Sequence, residues 1–207
     1  WFVFSDGFRR STVTLIAKRA IDLAAGIAGL VVALPVMALV AIAIRLDSRG
    51  PILYYQTRVG LRGKCFRVLK FRSMRPDAEA VNGAQWAIDN DPRVTRLGRF
   101  LRKYRLDELP QFINVIRGEM SLVGPRPERP EFVEALRKEI SYYDERHSVR
   151  PGLTGWAQVQ HSYGNSVEDA IRKLEYDLFY LKNVSTFFDC AIILDTVRVV
   201  FTGRGGK

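Results

Sequence analysis

The feature that most constrains this chain is one apolar run, Leu23–Ile44, which holds 22 residues and no charge. As a straight helix the run would be roughly 33 Å long, about the thickness of the hydrocarbon layer of a bilayer. It is too long for the apolar part of a secretory signal, and no convincing cleavage site follows it. The run therefore predicts a segment that inserts into a membrane.

Two features of this region argue against a simple crossing. Pro35 lies halfway along the run, where it removes a backbone donor and predicts a break in the helix. Basic residues flank both ends, with Arg19 before the run and Arg45 after it, so both ends prefer the cytoplasmic face. We therefore expect a re-entrant helix-break-helix over residues 15–48, broken at Pro35. A straight crossing and a buried helix of a soluble core are the alternatives.

Composition indicates that the chain folds and which kinds of molecule it can bind. The chain has 207 residues, 47% of them hydrophobic, which suits one folded domain and excludes wholesale disorder. Its net charge of +10 favours nucleic acid, anionic lipid or phosphorylated substrates. Nine Lys/Arg and a single acid lie in residues 45–75, directly after the apolar run, where anionic headgroups would be. The alternative is a solvated basic face.

The cysteines argue against a disulfide scaffold, and the histidines argue against a zinc site. The two cysteines, Cys65 and Cys190, have no metal or redox spacing, which argues against a disulfide scaffold. The two histidines, His147 and His161, are too few and too far apart for a zinc site. We expect both histidines to be structural or surface residues and not catalytic ones.

The remaining pattern predicts an α/β chain, mostly helical, with a small β-hairpin. Two β-rich segments flank a glycine-containing turn and form the hairpin, Ile52–Val59 and Cys65–Met74. Asp91 is a predicted N-cap, with Pro92 opening a basic amphipathic helix that lies at the membrane interface or packs on the core. Pro76–Asn90 is a predicted loop. The further predicted helices are Glu108–Arg117, Glu131–Tyr143, Val167–Leu181, with a capping box of Ser166 and Asp169, and Thr186–Phe201.

Adjacent carboxylates, Asp107 and Glu108, fall where the chain enters a predicted helix. Asp107 can be an ordinary N-cap. The same position suits a nucleophile, because the helix dipole and nearby arginines favour an ionised carboxylate, which can attack phosphorus. Glu108 could bind a divalent metal or handle a proton. The two residues are therefore candidates for a catalytic pair.

Several basic residues have the chemistry of phosphate ligands, since the planar guanidinium binds two oxygens at once. Arg126 stands between two prolines, Arg150 precedes Pro-Gly, and Lys70 and Arg72 share one face of a predicted strand. Each alone is more often a surface charge. Together with a carboxylate pair they favour phosphoryl transfer, although the chain has no nucleotide-binding P-loop.

Ordered motifs along residues 15–202 resemble the bacterial sugar transferases, also called monotopic phosphoglycosyl transferases. The resemblance rests on many short elements in the same order. They are Lys18-Arg19-Ala20-Ile21-Asp22, Pro35, Gln56-Thr57-Arg58-Val59-Gly60, Lys70-Phe71-Arg72-Ser73-Met74, Leu106-Asp107-Glu108-Leu109-Pro110-Gln111, Asn114-Val115, Met120-Ser121-Leu122-Val123-Gly124-Pro125-Arg126-Pro127 and Arg150-Pro151-Gly152-Leu153-Thr154-Gly155-Trp156. Leu34 departs from members that have serine before the hairpin proline, which leaves open what satisfies the backbone at the break.

The resemblance implies transfer of a sugar-1-phosphate from a UDP-sugar to a polyprenyl phosphate such as undecaprenyl phosphate, with release of UMP. It implies a two-step reaction in which Asp107 is the nucleophile and Glu108 its partner, with Mg²⁺ bridging Asp107 and the diphosphate and Glu108 as a further candidate ligand. The implied phosphate ligands are Lys70, Arg72, Arg102, Arg126 and Arg150. It also implies a role in starting a surface glycan at the cytoplasmic face of a bacterial inner membrane.

The expected organisation has three parts. Residues 1–14 are expected to be a remnant of an upstream module or linker, because the chain begins at Trp1. Residues 15–48 are the expected membrane hairpin, and residues 49–207 a cytosolic, membrane-apposed catalytic domain. A homo-oligomer is compatible with the sequence and a nucleic-acid partner is not expected. The rival hypothesis is a non-enzymatic basic module that binds membranes or nucleic acid, which explains the charge but not the Asp-Glu and Pro-Arg-Pro elements.

Overall fold

The apolar run lies within helix α1, Thr12–Asp47, in the computed structural model of the chain, which describes residues 11–75, 78, 91–160 and 166–202. Ser11 caps its N-terminus by accepting a hydrogen bond from the Val13 amide. Helix α1 passes through Pro35 as one continuous element, so the predicted separation into two helices is not observed. One missing amide removes a single bond from a helix of 36 residues, and the turns on both sides continue without it. A re-entrant path stays a prediction.

One stripe of α1 rests on the rest of the molecule. Its buried residues recur at helical spacing along most of the helix: Asp22, Gly26, Ala33, Val40 and Ile44. The other faces expose large apolar side chains: Val13, Leu15, Ile16, Ile21, Leu23, Ile27, Val31, Val32, Leu34, Val36, Leu39, Ile42 and Leu46. Within the described residues, α1 alone is long and apolar enough to cross a bilayer, by length and composition. Exposed apolar surface of this extent suits a lipid environment.

The predicted hairpin is confirmed. Strand β1, Leu53–Val59, pairs antiparallel with β2, Cys65–Phe71, with Leu53 opposite Phe71 and Val59 opposite Cys65. A short 3-10 turn at Leu61–Gly63 joins the strands.

Helix α2, Arg96–Lys103, begins later than predicted. Its N-cap is Thr95, whose hydroxyl accepts from the Gly98 amide at 2.9 Å. Asp91 does not cap it, because the Asp91 carboxylate binds the amide and guanidinium of Arg93 instead. Leu97 and Leu101 of α2 pack with Val40, Ile44 and Phe71, so its apolar stripe belongs to the core. The predicted loop Pro76–Asn90 lies, except for Ala78, outside the described residues.

The second half alternates helices with a pair of short parallel strands, β3 at Ser121–Val123 and β4 at Gly152–Thr154. The sequence did not predict these two strands. The capping box of Ser166 and Asp169 is confirmed. The bounds are α3 Gln111–Arg117, β3 Ser121–Val123, α4 Pro130–Glu139, β4 Gly152–Thr154, α5 Trp156–Gln160, α6 Val167–Lys182 and α7 Thr186–Thr202, with a 3-10 turn at Tyr143–Ser148. The mostly helical fold with a small sheet is confirmed. The three-part division of the chain stays a prediction, and residues 1–10 lie outside the described part.

Two charged side chains near the start of α1 fix that helix to the central elements. Arg19 donates to the carbonyls of Val115 and Ile116 at the C-terminal end of α3, at 2.7 and 2.9 Å. Buried Asp22 accepts from the Leu122 amide of β3 at 3.0 Å. Both contacts satisfy backbone groups that helix α3 and strand β3 would otherwise leave open. Helix α1 is thereby attached to the elements that flank the candidate site.

Close packing also joins α1 to α3. A side chain at Gly29 would place its Cβ 2.7 Å from Cε1 of Phe112, and one at Gly26 would lie 3.1 Å from Val115. Glycine at these two positions lets the helices approach closely without displacing the side chains of Phe112 and Val115. The main core continues behind them through Val68, Val115, Met120, Val123, Tyr180, Leu181 and Ile192.

Candidate active site

The paired carboxylates lie in a tight turn between α2 and α3. Residues Leu106–Glu108 form one turn of 3-10 helix, and α3 starts only at Gln111, so the predicted helix from Glu108 is too long. Arg105, before the turn, has φ of 55°, an uncommon backbone conformation for a residue with a side chain. Both carboxylates are buried, with 7% and 6% of Asp107 and Glu108 exposed. The turn thus presents two acids side by side in a dry environment.

Glu108 is surrounded by positive charge. Its Oε1 accepts from Lys70 Nζ at 2.9 Å and from Arg126 Nη2 at 2.8 Å. Its Oε2 lies 3.6 Å from Arg105 Nη1. Burial alone would raise the pKa of Glu108, but the charges of Arg126, Lys70 and Arg105 outweigh it and hold the pKa well below its usual range. Glu108 is therefore ionised, and both of its carboxylate oxygens lie close to basic side chains.

Asp107 has a different environment. Within the described part of the chain, the short hydrogen bonds of this turn go to Glu108, and none goes to the Asp107 carboxylate. Burial, followed by the negative charge of Glu108, raises the pKa of Asp107, although Lys70 and Arg102 oppose the rise. The expected stabilisation of ionised Asp107 by a helix dipole is wrong, because Asp107 lies within a one-turn 3-10 segment and the α-helix begins only at Gln111. An ionised carboxylate with few partners is poorly solvated and correspondingly reactive.

Arg102 completes the positive surroundings. Its Nε donates to Ser73 Oγ at 3.0 Å, and its charge interacts with Asp107. Burial lowers the pKa of the Arg102 guanidinium, which nevertheless stays charged at neutral pH. We name the whole group the carboxylate cluster: Lys70, Arg102, Arg105, Asp107, Glu108 and Arg126. It contains four basic groups and two acids, so positive charge is in excess.

Two of the predicted phosphate ligands lie elsewhere. Arg72 is buried and donates to the carbonyls of Ser48 and Arg49 beyond the end of α1, at 2.7 and 3.1 Å. Arg150 donates from Nε to the Gly118 carbonyl, at the far end of α3 from the carboxylate turn, at 2.9 Å. Backbone carbonyls without helical donors attract these guanidinium groups. The structure does not bring the two arginines to the carboxylates, and their phosphate role stays a prediction.

Asn114 is a residue of this region that sequence reasoning left without a role. It is fully buried on α3, and its amide oxygen accepts from the Leu69 amide at 3.0 Å. Its nitrogen donates to the Arg67 carbonyl at 2.8 Å and to Glu119 at 2.7 Å. Asn114 thus binds the backbone of β2 as a neighbouring strand would, directly before Lys70. An asparagine among apolar residues on a short predicted helix was the available signal.

The described residues offer few ligands for a divalent metal. Among the described residues, no group of three or more His, Cys, Asp or Glu could hold a metal ion by itself. Mg²⁺ commonly takes one or two carboxylates and completes its shell with substrate phosphate and water. Asp107, which accepts none of the short hydrogen bonds, meets that requirement, whereas Glu108 already accepts from two cations.

Comparison with known proteins identifies the family of this site. The model of the family described as "Bacterial sugar transferase" matches residues 13–203. The chain belongs to the bacterial sugar transferase family. The match contains α1 from its second residue onward and the whole carboxylate cluster.

Curated relatives of this sugar transferase share sequence over nearly its full length. An Aeromonas hydrophila protein named UDP-N-acetylgalactosamine-undecaprenyl-phosphate N-acetylgalactosaminephosphotransferase is 45% identical over 95% of this chain and 46% of its own length. The UDP-glucose:undecaprenyl-phosphate glucose-1-phosphate transferase of Escherichia coli (strain K12) is 44% identical over 94% of this chain and 42% of its own. The exopolysaccharide production protein PSS of Rhizobium leguminosarum bv. phaseoli is 42% identical over 92% of this chain and 98% of its own length. The chain thus spans less than half of the first two relatives and nearly all of the third.

Proposed function

We propose that this chain is a phosphoglycosyl transferase that moves a sugar-1-phosphate from a UDP-sugar to undecaprenyl phosphate and releases UMP. The observation that carries the proposal is the carboxylate cluster, in which a buried Asp107 with few partners lies beside a Glu108 that several cations neutralise. An excess of positive charge in a dry site suits a substrate with a diphosphate. The names of the relatives support the same class of reaction.

The proposed chemistry has two displacements at one phosphorus atom. A carboxylate oxygen of Asp107 attacks the phosphorus that carries the sugar, forming an acyl-phosphate bond while the bond to the uridine phosphate breaks and UMP leaves. A phosphate oxygen of the lipid then attacks the same phosphorus. The acyl-phosphate bond breaks, the sugar phosphate passes to the lipid as a diphosphate, and the Asp107 carboxylate is restored.

Glu108 has a supporting part in this scheme. Because its Oε1 accepts from Lys70 and Arg126, it holds their charged groups at one place before substrate arrives. Preorganised cations stabilise the charge of phosphoryl transfer without rearranging during the reaction. Arg102 and Arg105 extend the positive surface around the turn.

Mg²⁺ is the proposed cofactor, held by Asp107 together with the donor diphosphate, with Glu108 as the neighbouring carboxylate. When bound, the ion would neutralise phosphate charge and ease departure of UMP. Removal of divalent ions with EDTA is expected to abolish UMP release, and added Mg²⁺ to restore it.

The proposed location is the cytoplasmic face of a bacterial inner membrane, with α1 in the lipid. The exposed apolar faces of α1 and its attachment to β3 and α3 support this arrangement. It would bring the carboxylate cluster close to a lipid phosphate at the membrane surface.

The test is UMP release from a panel of UDP-sugars with Mg²⁺ and undecaprenyl phosphate. Asp107→Asn removes the proposed nucleophile at constant size, and Asp144→Asn is the control because Asp144 is an exposed partner of Arg137. Release by the parent chain and by Asp144→Asn, with loss in Asp107→Asn, is expected. Equal release by Asp107→Asn would remove this residue as nucleophile. No release from any donor would overturn the proposed reaction and favour the non-enzymatic alternative.

A further inference from the structure

The backbone of the segment Pro125–Glu128, which carries Arg126, is held through its carbonyl groups. Pro125 and Pro127 have no amide hydrogen, so the segment cannot pair as an ordinary strand. Each of its four consecutive carbonyls accepts a hydrogen bond instead. The donors, in chain order, are the Gly152 amide at 2.9 Å, Arg146 Nη2 at 3.0 Å, Arg58 Nη1 at 3.1 Å and the Val59 amide at 2.9 Å.

The two inner carbonyls are the informative ones, because side chains and not backbone bind them. Arg146 holds the carbonyl of Arg126 itself, while Arg58 holds that of Pro127. Arg146 lies in the 3-10 turn Tyr143–Ser148, on an element separate from the carboxylate turn. The same Arg126 residue is therefore fixed at two points, its carbonyl by Arg146 and its guanidinium by Glu108.

Arg146 is itself held by two further side chains, Asp177 and Tyr143. It is 6% exposed, and its Nη2 lies 2.8 Å from Oδ2 of Asp177, which is 1% exposed. Its Nη1 donates to the Tyr143 hydroxyl at 2.7 Å, and its guanidinium lies 5.1 Å from the centre of the Tyr143 ring. A buried ion pair is weak evidence for stability, since apolar residues of similar volume often serve as well. The contact with the Arg126 carbonyl gives this buried charge a positional role to account for.

We infer that Arg146, neutralised by Asp177, is a positioning residue that sets the place of Arg126 relative to Glu108. The inference rests on the proposed function for its effect on turnover. Arg146 touches the Arg126 backbone and not the carboxylates, so it acts only through Arg126. Displacement of a phosphate-binding group by about 1 Å lowers the rate of a positioned reaction on the order of a hundredfold.

The decisive experiment is a double-mutant cycle on UMP release. The variant Arg146→Met with Asp177→Leu replaces the pair by apolar residues, and Arg126→Met removes the guanidinium it is inferred to position. We expect the apolar pair alone to lower kcat about tenfold to a hundredfold, and to have less than a twofold further effect when Arg126 is already Met. Independent, multiplying losses would show a general structural role and overturn the inference.

The exposed ion pair of Arg137 and Asp144 supplies the matched control, as Arg137→Met with Asp144→Leu. The control is expected to retain parent activity and thermal stability. Should the apolar replacement of Arg146 and Asp177 fail to fold, Arg146→Lys keeps the charge while losing the planar fork, and it must show the same dependence on Arg126. Additivity in that variant would equally contradict the inference.

A second readout separates this inference from the proposed reaction. The side-chain Nε–H signal of Arg126, assigned as the one lost in Arg126→Met, is recorded by NMR of labelled protein. It is expected to shift or broaden in the Arg146 and Asp177 variant and to stay unchanged in the exposed control. An unchanged signal overturns the inference even if turnover falls. If no variant or parent chain releases UMP, the proposed reaction fails and this signal alone decides the positioning role.

Discussion

Two groups of charges in this molecule are built in opposite ways. The carboxylate cluster has four basic side chains around Asp107 and Glu108, and its positive charge exceeds its negative charge. The Arg146–Asp177 pair has one charge of each sign at 2.8 Å, and both residues are almost fully buried. The first group is charged but unbalanced, whereas the second is balanced and closed.

The difference distinguishes a group of side chains that can bind a ligand from a pair that supports the structure. Buried acids that lie among several basic side chains suit a site that binds an anion, because guanidinium and ammonium groups are the usual partners of phosphate. A balanced pair needs no further partner and can hold backbone in place. The contact between the two groups is the Arg126 residue, whose guanidinium belongs to the cluster and whose carbonyl belongs to the pair.

The largest expected effect comes from Asp107→Asn. This change retains size and the buried position but removes the nucleophilic charge, and UMP release should fall by about 10⁴-fold. Thermal stability should not decrease, because burial and Glu108 already disfavour the ionised form of Asp107. A stable but active variant would show that the unbalanced cluster works without this carboxylate.

Breaking the balanced pair should damage stability more than chemistry. Asp177→Leu leaves the Arg146 charge buried without a counter-charge, and we expect a loss of about 3–5 kcal/mol in the free energy of unfolding. Adding Arg146→Met should recover most of that loss. Thermal or urea unfolding of the parent, single and double variants measures it, and an equally unstable double variant would contradict the comparison.

Reducing the excess charge of the cluster should weaken donor binding. Lys70→Met removes one cation that contacts Glu108, and kcat/KM for the UDP-sugar should fall about tenfold to a hundredfold. Lys64→Met, in the exposed turn of the same hairpin, is the control and should change kcat/KM less than twofold. Equal effects of the two substitutions would mean that only overall charge matters.

The smallest expected effect concerns acid stability near the balanced pair. Burial, then the charge of Arg146, lowers the pKa of His147 to about 4 from its usual 6.5, so the folded chain keeps this histidine neutral. The unfolded chain binds a proton below pH 6.5, and stability is therefore lost as the pH falls from 6.5 towards 4. His147→Gln should remove about 1 kcal/mol of the loss between pH 7 and pH 5. Unfolding curves of the parent chain and of His147→Gln at the two pH values measure this difference. An equal loss of stability in both chains would show that the folded chain does not keep His147 neutral.

The sequence predicted the elements whose signals are local. The alternation of β-formers around Gly60 and Gly63 predicted the hairpin, and Ser166 with Asp169 predicted the start of α6. The Asp91 N-cap failed because the nearby Arg93 guanidinium competes for the same carboxylate. A single sequence does not show which partner of a side chain prevails when the alternatives are close in energy.

Some residues of the candidate site could be predicted from their chemical type. Others are revealed only by the contacts that they make in the structure. The Asp107 and Glu108 pair, Lys70 and Arg126 could be proposed from the chemistry of phosphate, and the structure brings them together. Arg72 could not be separated from them by sequence, because its partners are backbone carbonyls beyond α1. Such long-range contacts leave no local signature in the sequence.

Arg146 and Asn114 are supporting residues whose partners the sequence does not reveal. Both bind backbone carbonyls of distant segments, and nothing in their own neighbourhoods indicates which carbonyls those are. Only the fold reveals that one reaches Arg126 and the other the strand that carries Lys70. Supporting residues are therefore harder to predict than those that contact phosphate.

The central claim is that the unbalanced cluster activates Asp107 as a nucleophile, and intact-protein mass spectrometry tests it most directly. The chain would be incubated with UDP-sugar and Mg²⁺ and quenched in acid before lipid phosphate is added, and its mass compared with that of Asp107→Asn. The account predicts a gain equal to one sugar phosphate in the parent chain, no gain in Asp107→Asn, and loss of the adduct when undecaprenyl phosphate is supplied. Turnover without any adduct in the parent chain, or the same adduct in Asp107→Asn, would contradict it.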